Sequence, residues 1–225
     1  ACIAIQSNQN DQHGGQSVCD FDYGLADGVR KTYRRLFKKH LAEAVDLLGD
    51  IDDERAFVEE LLGRAEKATG AVASLNLDEG FRAAVLAELA EGGLDAATAE
   101  TAVAYAAKNA SRDSDRATFQ AMEALVHNLN TMHSRAGAQT PFSSVNYGMD
   151  TSPEGRMVIK NMLLATEEGL GSGETPIFPV QIFRVKEGVN YNPEDPNYDL
   201  FKLAMHCSAK RLFPNFSFLD APFNA

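Results

Sequence analysis

Between residues 141 and 219 the spacing of apolar residues switches repeatedly between two periods, and this limits the folds open to the chain more than any other feature. Residues 141–148 alternate apolar with small polar side chains, the period-two signature of a strand. Ser152-Pro153-Glu154 then supplies an N-cap, a proline at the first helical position and an acid in the first turn. The helix they open carries Val158, Ile159, Met162, Leu163 and Ala165, and it stops at Gly169, Gly171 and Gly173. Residues 175–185 are apolar on both sides through Ile177, Phe178, Val180, Ile182 and Phe183, as a strand in a covered parallel sheet should be. Asn192-Pro193-Glu194-Asp195-Pro196 turns into a second helix with Leu200, Leu203, Ala204 and Cys207 on one stripe, and residues 213–219 form a third strand. Two consecutive βαβ units imply right-handed crossovers and parallel strands. Functional residues in such sheets are expected at the carboxyl ends of the strands. The fold class is α/β.

Upstream the chain is helical. Val29, Tyr33, Leu36, Phe37, Leu41, Val45 and Leu48 recur at helical spacing over residues 29–48, with Gly49 placed to end the helix. Arg30, Lys31, Arg34, Arg35, Lys38 and Lys39 fall on one stripe of it. Such a stripe either contacts nucleotide phosphates or an acidic partner, or is a solvated face answered by nearby acids, and the second is the simpler reading. Residues 52–110 read as three helices: one burying Phe57, Val58, Leu61 and Leu62 behind Asp52-Asp53, one burying Phe81, Val85, Leu86 and Leu89 before Gly92-Gly93, and one from Asp95 with Val103 and Ala107. A further helix over 114–130 buries Phe119, Met122, Leu125, Val126 and Leu129. His127 and His133 have no carboxylate or cysteine at ligand spacing and read as packing or hydrogen-bonding residues. The paired acids Glu59-Glu60 read as surface.

Residues 1–10 read as a short helix, followed by the polar run QSNQNDQHGGQS. Its Gly14-Gly15 pair marks either a helix stop or a loop whose backbone N–H groups approach a ligand. A formal charge of −11 argues against a nucleic-acid polymer as partner. No apolar run approaches the roughly 20 residues that span a bilayer, so no membrane partner is expected. Cys2, Cys19 and Cys207 are odd in number, widely spaced and without a CxxC, which points to reduced cysteines in a cytoplasmic protein rather than a disulfide or zinc framework. The chain starts at Ala1 with no initiator Met and ends just after a strand, so it reads as one continuous domain cut from a longer chain at both ends.

Three runs near the sheet, NTMHSRAGAQTPFSSVNYG, DTSPEGR and GETPIFPVQIF, closely resemble the middle of the anaerobic (class III) ribonucleoside-triphosphate reductases, which are glycyl-radical enzymes. SNQNDQHGGQS resembles a further signature segment of the same family, in which Cys19 stands where proline would be expected. The resemblance covers residues 1–39 and 114–224. It implies a ten-stranded α/β barrel of two five-stranded halves. Residues 1–113 would be its helix-rich part with the Gly-Gly loop, and 114–225 a βαβαβ half-barrel segment. It also implies anaerobic reduction of ribonucleoside triphosphates to deoxyribonucleotides in a homodimer with allosteric nucleotides. A glycyl radical made by a separate radical S-adenosylmethionine activase would generate a thiyl radical, formate would serve as reductant, and zinc would sit in a C-terminal part.

The family's radical residues and zinc cysteines have no counterpart motif in this chain, and the resemblance assigns no catalytic or metal-binding residue here. It carries over substrate- or effector-binding candidates instead: His13, Gly14, Gly15, Gln16 and Ser17 as a loop near the barrel mouth or the dimer interface that touches substrate or an allosteric nucleotide, and Ser134, Arg135, Gln139, Ser143 and Ser144 as barrel-lining or phosphate-contacting residues. For Ser143 and Ser144 ordinary strand alternation explains the pattern equally well. Two other readings stay open: a formate-lyase-like glycyl-radical enzyme, and an inactive binding or dimerisation fragment.

Overall fold

The structure is a computed structural model that describes residues 4–5, 15–49, 51, 53–132 and 140–223. It is an α/β fold. Four strands, β1 (Gln16–Val18), β2 (Ser143–Tyr147), β3 (Val180–Val185) and β4 (Asn215–Phe218), form an all-parallel sheet in chain order. The register sets Ser17 opposite Ser144, Ser144 opposite Val180, and Ile182 opposite Asn215. Four helices lie between β1 and β2: α1 (Phe21–Leu48), α2 (Glu54–Thr69), α3 (Glu79–Glu91) and α4 (Ala96–Thr131). Helix α5 (Pro153–Glu168) joins β2 to β3, and α6 (Tyr198–Arg211) joins β3 to β4. The chain divides into two compact units, residues 28–116 and the remainder.

The sheet unit has one dry face. Ser143, Val145 and Tyr147 of β2 and Gln181, Phe183 and Val185 of β3 are buried, as the two-residue period requires. The Phe183 ring stacks on Phe201 of α6 with centroids 6.1 Å apart, and Phe201 meets Phe216 of β4 edge-on. Polar atoms on this face are satisfied. Tyr147 Oη donates to Gln181 Oε1 at 2.7 Å, and Gln181 Nε2 donates to Thr166 Oγ1 of α5 at 2.7 Å. Burial raises the Tyr147 phenol well above its usual range, with the nearby Cys207 and Asp22 adding to the shift, so it acts here as a neutral donor. On the opposite face Ser144, Asn146, Val180, Ile182 and Arg184 are half-buried and mostly polar.

The carboxyl end of β2 is locked by one carboxylate. Asp22 in the first turn of α1 is fully buried, and its Oδ2 accepts from the backbone N–H groups of Gly148, Met149 and Asp150 at 2.9, 2.8 and 3.0 Å. Gly148 is required there: φ is 115°, and a Cβ would lie 2.9 Å from the Arg184 carbonyl. Buried Asn190 and Asn197 donate to the Gly148 and Asp150 carbonyls of the same turn. Asp150 packs so closely on α5 that a Cβ on Gly155 would sit 2.1 Å from its carboxyl. Ser152 caps α5 by accepting from Gly155 N at 3.1 Å.

Several boundaries differ from the sequence expectation for identifiable reasons. Strand β1 was not anticipated, because three residues, two of them polar, carry no periodic signal. Helix α1 begins at Phe21, eight residues before Val29; Gly24 and Gly28 hide its first turns, while Asp22 anchors them. The helices expected over 95–110 and 114–130 are one continuous α4. Strand β3 starts at Val180 instead of Thr175, because Pro176 and Pro179 have no N–H for the ladder. Residues 177–178 are held by Asn130, which accepts from both N–H groups through Oδ1 and donates to the Phe178 carbonyl.

The second unit, residues 28–116, is a helical cluster. Phe37, Leu41 and Val45 of α1, Val58 and Leu61 of α2, Phe81, Val85 and Leu89 of α3, and Ala102, Val103 and Ala106 of α4 are all essentially fully buried. Each large side chain of this kind contributes roughly 1.5–3 kcal/mol through removal from water. The basic stripe of α1 is answered by acids of α2, through Arg34 to Glu66 and Lys38 to Glu59, both at 2.8 Å. Buried His40 has Nδ1 at 2.7 Å from Glu43 and Nε2 at 2.9 Å from Asp113. Burial alone would raise Glu43, but the His40 contact and Lys39 outweigh it and leave the carboxyl below its usual range. Arg112, with His40 in support, does the same for Asp113 against its own desolvation.

Two outcomes follow. Asp22→Ala strands three buried N–H groups, and denaturant unfolding should show a loss of about 3 kcal/mol, with Asp22→Asn losing less. Because the Glu43 and Asp113 carboxyls are lowered in the fold, their stabilisation is complete above the ordinary carboxylate range. It should disappear as pH falls below about 4, visible as an acid-dependent melting temperature that flattens in His40→Ala.

Candidate functional site

Parallel register brings the starts of three strands level with one another, and there the chain leaves a cleft. Gly15, Gln16 and Ser17 of β1 and its approach, Phe142, Ser143 and Ser144 of β2 and its approach, and Phe178 and Val180 at the start of β3 line about 360 Å³. Backbone pairing fixes the first two walls: Gln16 N donates to the Phe142 carbonyl at 3.0 Å, and Gln16 stands opposite Ser143. Gln16 is tethered a second time through Nε2, which donates to the Ile5 carbonyl at 2.6 Å. Phe142 meets Phe178 edge-on with centroids 5.1 Å apart, yet keeps 46% of its surface exposed.

The serines of the cleft have different surroundings. Ser143 is buried on the helix-covered face and donates to the Pro141 carbonyl at 3.3 Å. Ser144 is half-buried on the other face, directly across from exposed Ser17. Among the described residues neither of these two hydroxyls has a protein partner. Among the described residues no charged side chain lines the cleft. It offers an aromatic surface, two donor–acceptor hydroxyls and close backbone, which suits an uncharged, planar, hydrogen-bonding group.

Five of the residues singled out in the sequence, Gly15, Gln16, Ser17, Ser143 and Ser144, therefore meet at one cleft, although more than 120 positions separate the two groups. His13, Gly14, Ser134, Arg135 and Gln139 lie outside the described residues, as do Cys2 and His133. The cleft is at the amino ends of the strands. At the carboxyl ends Asp22 is engaged with the β2 turn, and Arg184 Nη2 donates to Asp20 at 2.7 Å. Phe142 and Phe178 went unnoticed as site residues. Both sit in the distinctive runs TPFSS and TPIFP, but nothing in those strings separates an exposed ring from a core one.

The polar face beyond the cleft carries two buried polar atoms. Asn146 Oδ1 and Arg184 Nε are buried and have no hydrogen-bond partner among the described residues. Tyr23 donates to the Met149 carbonyl at 3.1 Å, and desolvation together with Asp150 and Asp22 raises its phenol. Among the described residues no group of three or more His, Cys, Asp or Glu side chains is arranged to hold a metal ion. Cys19 is exposed. Cys207 is buried against α5, where its Sγ donates to the Leu163 carbonyl at 3.5 Å, and burial pushes the thiol up to about 11, with Glu167 contributing. A thiol so raised is almost wholly protonated at pH 8 and hence a poor nucleophile. Iodoacetamide at that pH should alkylate Cys19 and leave Cys207 unmodified until the protein is unfolded, as read by peptide mass mapping; modification of Cys207 in the native protein would contradict the packing.

Comparison with known proteins agrees with the sequence signatures. A family model described as anaerobic ribonucleoside-triphosphate reductase matches residues 1–225. The anaerobic ribonucleoside-triphosphate reductase of Haemophilus influenzae is 38% identical over 102 residues, which is 45% of this chain and 14% of that protein. The Escherichia coli protein of the same name is 37% identical over 98 residues, 43% of this chain and 14% of its own length. The one from Enterobacteria phage T4 is 39% identical over 114 residues, 50% of this chain and 19% of its own. The matched stretch thus spans less than a fifth of each of these relatives.

Proposed function

Because the chain belongs to the anaerobic ribonucleoside-triphosphate reductase family, we propose that it forms part of an enzyme reducing ribonucleoside triphosphates to deoxyribonucleotides without oxygen, and that the cleft at the starts of β1, β2 and β3 contacts the nucleotide. One observation carries the reading. Two distinctive segments far apart in sequence converge on one cleft that, among the described residues, has no charged side chain and leaves the Ser17 and Ser144 hydroxyls unengaged.

The asymmetry of the sheet supports a barrel. Parallel sheets are ordinarily covered on both faces, whereas here the face opposite α5 and α6 is half-buried and polar. That face suits the inner wall of a closed α/β barrel, ten-stranded in this reading, with the helices outside. The strands hold Ser17 and Ser144 in register as donors and acceptors, and Phe142 keeps water from one side of the bound group. Glycyl and thiyl radical chemistry, formate as reductant, zinc, the homodimer, allosteric nucleotides, the radical S-adenosylmethionine activase and a cytoplasmic setting belong to the same proposal. The described cysteines do not fit the radical or zinc groups, one being buried with a raised pKa and the other solitary at the surface.

Filling the cleft tests the reading. In the full-length protein Ser144→Phe should lower kcat/KM for ribonucleoside triphosphates at least about tenfold, roughly 1.4 kcal/mol of transition-state binding, with unfolding and oligomeric state unchanged. Unaltered kinetics in that variant would remove the cleft from the catalytic cycle.

A further inference from the structure

We propose that Asn130 is a positioning residue for the cleft, setting through its side-chain amide the wall made by Phe178 and by the Phe142 ring that meets it. This rests on the nucleotide reading of the cleft and goes further by naming a group outside the lining that gives the cleft its shape. Asn130 is in the last turn of α4 and does not itself line the cleft. Its Oδ1 accepts from Ile177 N at 2.8 Å and from Phe178 N at 3.0 Å. Its Nδ2 donates to the Phe178 carbonyl at 2.6 Å and to the Val126 carbonyl at 2.7 Å. Two donors and two acceptor sites are the whole capacity of a primary amide, and all four are used. Turning the amide over would set its NH2 against two N–H groups, so one orientation fits.

The segment it holds has few other hydrogen bonds to hold it. Residues 176–179 precede β3 and join no ladder, and Pro176 and Pro179 have no N–H to offer. Among the described residues no other group bonds to the backbone of residues 177–178. Pro176 and Pro179 are buried, whereas Ile177 is 67% exposed and Phe178 half-buried. Packing therefore grips the two ends of the segment and the amide grips its middle. The Phe178 ring in turn meets Phe142 edge-on with centroids 5.1 Å apart, and both rings line the cleft. An edge-on pair depends on where both rings stand, so a shift of the Phe178 backbone is passed to Phe142. The bond to Val126, one turn earlier in α4, fixes the amide to the helix as well as to the loop. Asn130 thus acts on the cleft through Phe178 and Phe142.

Kinetics of the full-length protein test the role. A group that only stabilises the fold lowers the fraction of active protein and leaves KM alone, whereas a group that places a binding wall moves KM. Asn130→Ala should raise KM for a ribonucleoside triphosphate at least about fivefold, with kcat within about twofold. Asn130→Asp keeps acceptors for the two N–H groups, which guards the fold, but removes the donors to Phe178 and Val126; it should raise KM at least about threefold. In a cleft already filled by Ser144→Phe, Asn130→Ala should add less than about twofold to the loss of kcat/KM, because both changes act on one cleft. Unchanged KM in both Asn130 variants, beside a Ser144→Phe that does lose activity, would overturn the positioning role and leave the nucleotide cleft standing. A fully multiplicative loss in the double variant would do the same. Unaltered kinetics in Ser144→Phe would overturn both.

Discussion

The Asp22 carboxylate against three backbone N–H groups at the end of β2 is the contact on which the sheet unit depends. It joins the start of α1 to a turn more than 120 residues later. Because β1 is only three residues long, its ladder with β2 supplies few hydrogen bonds, and the buried carboxylate adds three charge-assisted ones at the opposite end of the strands. Asn190 and Asn197 then bind the carbonyls of the same turn, so that its donors and acceptors are both engaged. With that end fixed, the strand starts are held level, and the cleft between Ser17, Phe142 and Ser144 acquires a definite shape.

The two faces of the sheet carry different chemistry. Toward α5 and α6 aromatic stacking and a closed Tyr147–Gln181–Thr166 chain leave no polar group wanting. Toward the other side, among the described residues, Asn146 and Arg184 bear buried atoms without partners, and the Ser17 and Ser144 hydroxyls have none either. A sheet that ended here as an ordinary half-solvated layer would gain nothing from buried, unsatisfied atoms, which cost about 1–3 kcal/mol each. A face that packs against a further part of the chain could satisfy them.

Much of this was legible in the sequence because it was written in periodicities and caps. The βαβαβ order, the Ser152-Pro153 helix start and the helical core around Phe37, Leu41 and Phe81 follow from residue spacing alone. The basic stripe of α1 likewise met the acids expected of a solvated face. What escaped was set by tertiary contacts. β1 exists because β2 offers it an edge, and α1 starts early because Asp22 has a nest to bind. β3 starts late because two prolines break its ladder and Asn130 holds the gap. The exposure of Phe142 escaped for a similar reason: an aromatic residue ahead of a strand has the same letters whether it is core or cleft.

The claim at the centre of this account is that the polar face of a four-stranded parallel sheet is a ligand-facing wall. The most direct measurement is an experimental structure of the full-length protein with a bound ribonucleoside triphosphate. The account predicts a nucleotide against Ser17, Phe142 and Ser144, with further strands closing the chamber beyond the sheet edges. A nucleotide bound elsewhere while helices or another domain cover that face would contradict it.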